Sequence, residues 1–126
     1  MKLEELNVYN LAMELGERIW DIVKGWDYYA WDTLGKQLMR AIDSVAANLS
    51  EGFGRYHFKD VKNFGYYSRG SLYEAKTWLT KANNRALIKD DDYEDLIKEI
   101  NNLGVKLNNY IKSIGKKTSE LQSNDN

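Results

Sequence analysis

Cysteine and proline are both absent from the 126 residues, and histidine occurs once. Without thiols there is no disulfide scaffold, no thiolate metal site and no thiol redox chemistry, a pattern that fits a reducing cytoplasm. Without proline nothing breaks a helix from inside, and nine scattered glycines leave only weak points, so the composition leans all-α. No stretch approaches the roughly 20 apolar residues of a membrane span. The opening "MKLEELNVYN" also lacks the apolar run of a signal peptide. The expectation is a soluble cytoplasmic protein of one domain, large enough to bury roughly two thirds of the surface its unfolded chain exposes.

What is present is unevenly charged. Residues 31–89 hold ten Lys/Arg against five Asp/Glu, a local +5, which leaves −6 for the two ends of a chain whose net charge is −1. An anionic partner would therefore be met by the middle of the chain.

Apolar residues recur at about 100° per residue in four segments, near 7–25, 32–51, 58–87 and 91–114. The first carries Val8, Leu11, Ala12, Leu15, Ile19, Ile22 and Val23. The second carries Leu34, Leu38, Ala41, Ile42, Val45 and Leu49 and is expected to stop at Gly52, with Asp27, Asp32 and Thr33 as alternative caps for its start. The third presents a thin face of Val61, Phe64, Gly65, Ser68, Leu72, Ala75, Leu79, Ala82 and Ala86, which lets a neighbouring backbone come close. The fourth opens at "DDDYED", where Asp91 and Glu94 suggest a capping box, and runs through Tyr93, Leu96, Ile97, Ile100, Leu103, Leu107, Ile111 and Ile114. Short links favour an antiparallel up-down-up-down four-helix bundle over residues 1–115, with 116–126 as a flexible tail.

Three surfaces stand apart from this core. On the first helix Tyr9, Met13, Gly16 and Trp20 recur at steps of four, three and four, a second stripe suited to contact with another copy of the chain. On the second helix Gln37, Arg40, Ser44, Asn48 and Glu51 form a polar row, with Ser71, Glu74 and Arg85 of the third helix as candidate partners in a register-setting seam. On the third helix Lys62, Tyr66, Arg69, Tyr73 and Lys76 share one side, with Arg55 and Lys59 near its start. Cations that meet phosphates beside tyrosines that stack on unpaired bases are the usual means of single-strand contact. The plainer alternative is a subunit interface or a solvated face.

The run Q-x-x-R-A-x-x-S-x-x-x-N-x-x-E-G-x-G-R from Gln37 to Arg55, followed by R-G-S-L-x-E from Arg69 to Glu74 and preceded by "NVYNLAMEL", resembles the bacterial four-helix-bundle family of 23S rRNA-intervening-sequence proteins over roughly residues 6–88. The resemblance implies a left-twisted protomer that assembles into a ring, commonly a homopentamer, without enzymatic activity. A similar fold serves as the accessory variability protein of diversity-generating retroelements, where a basic ring surface contacts RNA and a reverse transcriptase. The chain departs from the family pattern at Ala46, where proline is usual, at Asp43, where an apolar residue is usual, and at His57, where Ser or Thr often caps the third helix. A straighter second helix is the expected consequence.

Nothing in the sequence assembles a catalytic centre. His57 has no partner His or Cys at metal-site spacing, the serines lack a nucleophile elbow, and "EGFGR" has neither the strand nor the Gly-Lys-Ser/Thr ending of a phosphate loop. Glu51 and Glu74 lack the Glu-x-x-His companion of a di-metal bundle, and "DDDYED" lacks the alternating ligands of a calcium loop. The expectation is a non-enzymatic, homo-oligomeric adaptor with no cofactor, metal, membrane or small-molecule substrate, whose client is RNA, DNA or a nucleic-acid-bound protein. The alternative is a structural homo-oligomeric scaffold that touches no nucleic acid.

Overall fold

A computed structural model describes residues 1–115, and the expected tail at 116–126 lies outside the described residues. A short 3-10 turn, Leu3–Glu5, leads into α1 (Asn7–Val23). The second helix starts as Tyr28–Ala30, passes through a π-helical Trp31–Gly35 and continues as Lys36–Phe53; these pieces together form α2. Then come α3 (Phe58–Asn84) and α4 (Asp90–Ser113).

Each helix packs on the next, and α4 returns to α1, which closes a four-helix bundle. Contacting pairs run in opposite senses: Gly16 meets Asp43 while Val23 meets Gly35, and Gly52 meets Phe64 while Val45 meets Ser68. Likewise Gly65 meets Ile111 while Leu72 meets Gly104, so neighbours are antiparallel along the bundle. Inside lie Val8, Ala12, Leu15, Ile19 and Val23 of α1, Leu34, Leu38, Ile42, Val45 and Leu49 of α2, Leu72, Ala75, Leu79 and Ala82 of α3, and Leu96, Ile100, Leu103, Leu107 and Ile111 of α4. These are the rows the helical period marks out.

Several boundaries differ from expectation, each for a local reason. Asp27 caps α2 by accepting from the Ala30 N–H at 2.8 Å, so the helix begins before Asp32 and Thr33. Gly52 does not end α2. It is buried inside the helix, where a Cβ would lie 2.8 Å from Phe64 Cβ and 3.3 Å from the Val61 carbonyl oxygen. Its smallness serves the close approach of α3, not a left-handed turn.

At the far end of α3 the chain turns at Ala86, whose φ is +58°, and the Leu87 N–H donates to the Ala82 carbonyl at 2.9 Å. This is the helix-ending turn that usually uses glycine, and it leaves Ala86 exposed where a buried residue was expected. The Asp91–Glu94 capping box does not form; α4 begins at Asp90 after Lys89, and Asp90, Asp91 and Asp92 face the positive helix end.

The corner between α1 and α2 is aromatic. Trp20 and Trp31 meet edge to face at 6.1 Å, and the π-turn brings Trp31 and Trp26 over Gly35, where a Cβ would come 2.6 Å from Trp31 Cε3. Below it, Asp43 of α2 lies on Gly16 of α1, with Oδ1 3.2 Å from the position a Cβ would take. Partial burial there, with the Glu17 charge adding to it, pushes the Asp43 carboxyl above its ordinary value.

Two tests follow from these contacts. Replacing Ala86 with Gly relieves a left-handed alanine and should raise stability by about 1 kcal/mol, whereas Gly52→Ala should lower it by about 1–3 kcal/mol despite the better helix former, both read by urea denaturation. A raised folded-state value means that the Asp43 charge works against folding: its stabilising contribution is present at low pH and is lost as pH rises through that value. Asp43→Asn should therefore be more stable than the native chain at pH 7, with the difference vanishing near pH 3, below the unfolded carboxyl value of about 3.9.

Candidate nucleic-acid interface

α3 turns its small residues inward, and Gly65, Ser68, Ala75 and Ala82 are buried against the neighbouring helices. Apart from buried Leu72 and Leu79, its large side chains are left for the flanks. On the flank towards α4 stand Lys62, Tyr66, Arg69, Tyr73 and Lys76, with Lys59 one turn nearer the start. Tyr66 is 43% and Tyr73 63% exposed, so both rings are open to a stacking partner.

Two of the cations are held in place by neutral groups. Arg69 donates to Asn108 Oδ1 at 3.2 Å and its guanidinium sits 4.8 Å from the Tyr66 ring centroid, while Lys76 donates to Asn101 Oδ1 at 2.8 Å. Among the described residues the ion pairs are Arg18–Asp95, Lys24–Asp21, Lys36–Asp32 and Arg55–Glu51. None of them uses Lys59, Lys62, Arg69 or Lys76. The stripe thus combines oriented positive charge, paired with no carboxylate among the described residues, and exposed tyrosine.

Arg55 is not part of this side. It pairs with Glu51 at 2.7 Å and lies 4.9 Å from the Phe64 ring, on the α2 flank of α3. Sequence spacing placed it near the start of α3 but could not say towards which flank the loop would turn it. Conversely, Asn101, Gly104 and Asn108 of α4 line the cleft beside Arg69, Tyr73 and Lys76, and periodicity had marked none of them. A polar residue beside an apolar stripe carries no signal until its neighbour across the groove is known.

The polar row of α2 bonds differently from the expected seam. Ser44 Oγ donates to the Arg40 carbonyl at 2.6 Å and Asn48 Nδ2 to the Ser44 carbonyl at 2.8 Å, so these bonds run up the helix. Gln37 and Arg40 are exposed, Ser71 is half-buried, and Glu74 accepts from Trp78 Nε1 at 3.2 Å within α3. The bond that crosses is made by fully buried Ser68, whose Oγ donates to the Val45 carbonyl at 2.9 Å. Arg85 is exposed just past the end of α3.

On α1, Met13 and Trp20 are 45% and 42% exposed and Tyr9 is half-buried, but Gly16 is covered by Asp43. His57 precedes α3 without capping it through its side chain, and its ring meets Tyr56 edge to face at 5.0 Å. Glu51 and Glu74 are both exposed, and no cluster of three His, Cys, Asp or Glu among the described residues is placed to hold a metal ion. No helix of the described residues is long and apolar enough to cross a membrane.

Comparison with known proteins agrees with this architecture. No curated protein matches the chain in sequence. A crystal structure of a protein with unknown function from the S23 ribosomal protein family of Bacteroides thetaiotaomicron VPI-5482 superposes with a TM-score of 0.75 at 21% identity, covering 83% of this chain and 98% of that one. At that identity the likeness is one of fold. The family model for 23S rRNA-intervening sequence proteins matches residues 4–109, nearly the whole described bundle. The chain belongs to the 23S rRNA-intervening sequence protein family.

Proposed function

We propose that the protein is a non-enzymatic adaptor that assembles with copies of itself and holds single-stranded nucleic acid, RNA in the first place, on the α4-facing flank of α3. The observation that carries this reading is the row of Lys59, Lys62, Arg69 and Lys76, which pair with no carboxylate among the described residues, beside the open rings of Tyr66 and Tyr73. Phosphates would supply the missing negative charge and unpaired bases would stack on the tyrosines. The protein would work in the cytoplasm, without a cofactor.

The outer side of α1 supplies the self-association part of the proposal. Met13 and Trp20 leave large apolar side chains in water beside half-buried Tyr9, surface that a second copy would cover. A closed ring satisfies such a contact for every protomer, and the family resemblance favours five. The same feature supports the second reading, a structural scaffold that binds only protein.

Salt separates the two. Retention of a labelled single-stranded RNA should weaken steeply with salt, with log affinity losing about 0.7 of slope for each neutralised phosphate. Lys62→Glu combined with Arg69→Glu should abolish retention while far-ultraviolet circular dichroism stays unchanged. Light scattering should give a multiple of the protomer mass that barely responds to salt, and Trp20→Glu should return it to single chains. RNA retention that ignores salt, or is absent at low salt, would leave only the scaffold.

A further inference from the structure

The cleft between α3 and α4 has more order than a basic stripe requires. Arg69 bonds Asn108 and Lys76 bonds Asn101, two cation–amide rungs spaced seven residues apart on each helix, or about 10 Å along the axis. Between them opens a cavity of about 170 Å³, with Leu72, Ile100 and Gly104 beside it and Tyr73 and Val105 at its sides. Each asparagine gives its oxygen to a cation and so keeps its Nδ2 donors for another acceptor. Arg69 and Lys76 likewise retain unused donors. Apart from the two-way Tyr73 hydroxyl and the second lone pair of each asparagine oxygen, the polar side chains around the opening offer protons.

Gly104 is the second observation. It lies in the middle of α4, where glycine costs about 1 kcal/mol relative to alanine. Packing does not demand it, because a Cβ there would meet Leu72 Cδ2 at an ordinary 3.7 Å. Gly52 and Gly65, by contrast, face contacts of 2.8 Å that forbid a side chain. Gly104 lines the cavity between the rungs and adds no side chain to it.

We infer that this window is a phosphate subsite: a phosphoryl group enters between the rungs and accepts from Arg69, Lys76 and the free amide donors of Asn101 and Asn108, with Gly104 leaving it room. A phosphoryl oxygen accepts and does not donate, which matches a rim rich in donors, whereas an ammonium or guanidinium ligand would be repelled by the charges of Arg69 and Lys76. The inference rests on the nucleic-acid reading and sharpens it, since the phosphoryl group would be a diester of the bound strand. A free phosphate ester has the same chemistry, and the test separates the sources.

The full chain, labelled with nitrogen-15, is titrated with pyrophosphate against a chloride control at equal ionic strength, and separately with a short single-stranded RNA. Both ligands should shift the side-chain amide signals of Asn101 and Asn108. Gly104→Leu should remove the shift, weaken RNA binding about tenfold and lower the salt slope by about 0.7. Asn101→Asp with Asn108→Asp, nearly isosteric, neutralises both rungs and should do the same should Gly104→Leu fail to fold.

RNA binding that persists through these variants, with silent asparagine amides, would overturn the subsite and leave the nucleic-acid reading standing. Amide shifts with pyrophosphate but no RNA retention would uphold the subsite for a free phosphate ester and overturn that reading. Silent amides with both ligands, together with no RNA retention at low salt, would overturn both.

Discussion

The structure turns on the close approach of α2 and α3. Gly52 lies against Phe64, Ser68 gives its proton to the Val45 carbonyl, and Ala75 and Ala82 are fully buried between the helices. Small side chains bring the backbones together, and close backbones leave no room for water at a buried hydroxyl. Ser68 therefore needs the carbonyl it has, since an unpaired buried hydroxyl would cost about 1–3 kcal/mol. Bulk comes mainly from the leucines and isoleucines of the other three helices, joined by Leu72 and Leu79 of α3.

That choice sets the character of the surface. A helix of 27 residues that turns glycine, serine and alanine inward has its tyrosines, lysines and arginines left for the flanks. α4 then closes only part of one flank, through Ile111 on Gly65 and Leu72 beside Gly104, and the cleft between Arg69 and Lys76 stays open. Packing and surface chemistry are two sides of one helix. Among the described residues Arg18, Lys24, Lys36 and Arg55 pair with carboxylates, whereas Arg69 and Lys76 of the α3–α4 flank are met by amides. Exposed pairs of the first kind contribute at most about 1 kcal/mol each, so they tidy the surface more than they hold the fold.

Much of this was legible in the residue order, and the parts that were not share a cause. The rows of Leu, Ile, Val and Ala at helical spacing face inward as their period requires, and the step of four and three from Lys62 to Lys76 places those side chains on one flank. Local pattern misled where a residue answers to a distant neighbour. Gly52 looked like a helix end and is a packing contact; Ala86 looked like core and is a turn; Arg55 looked like part of the stripe and faces Phe64. Asn101, Gly104 and Asn108 gave no sign at all, because an asparagine on a helix flank has no meaning until the opposite rung is known.

The sequence by itself determined that the chain is helical, how many helices it makes, which side of each turns inward, and to which family it belongs, because these depend on spacing along one chain and on local backbone preference. Only the tertiary structure decided which cations pair with a carboxylate among the described residues, that the Asn48 amide bonds along its own helix, and that two rungs frame an opening between α3 and α4. Those features come from the angle and depth at which antiparallel helices settle. The packed side chains of the whole bundle set that geometry together, and no single segment encodes it.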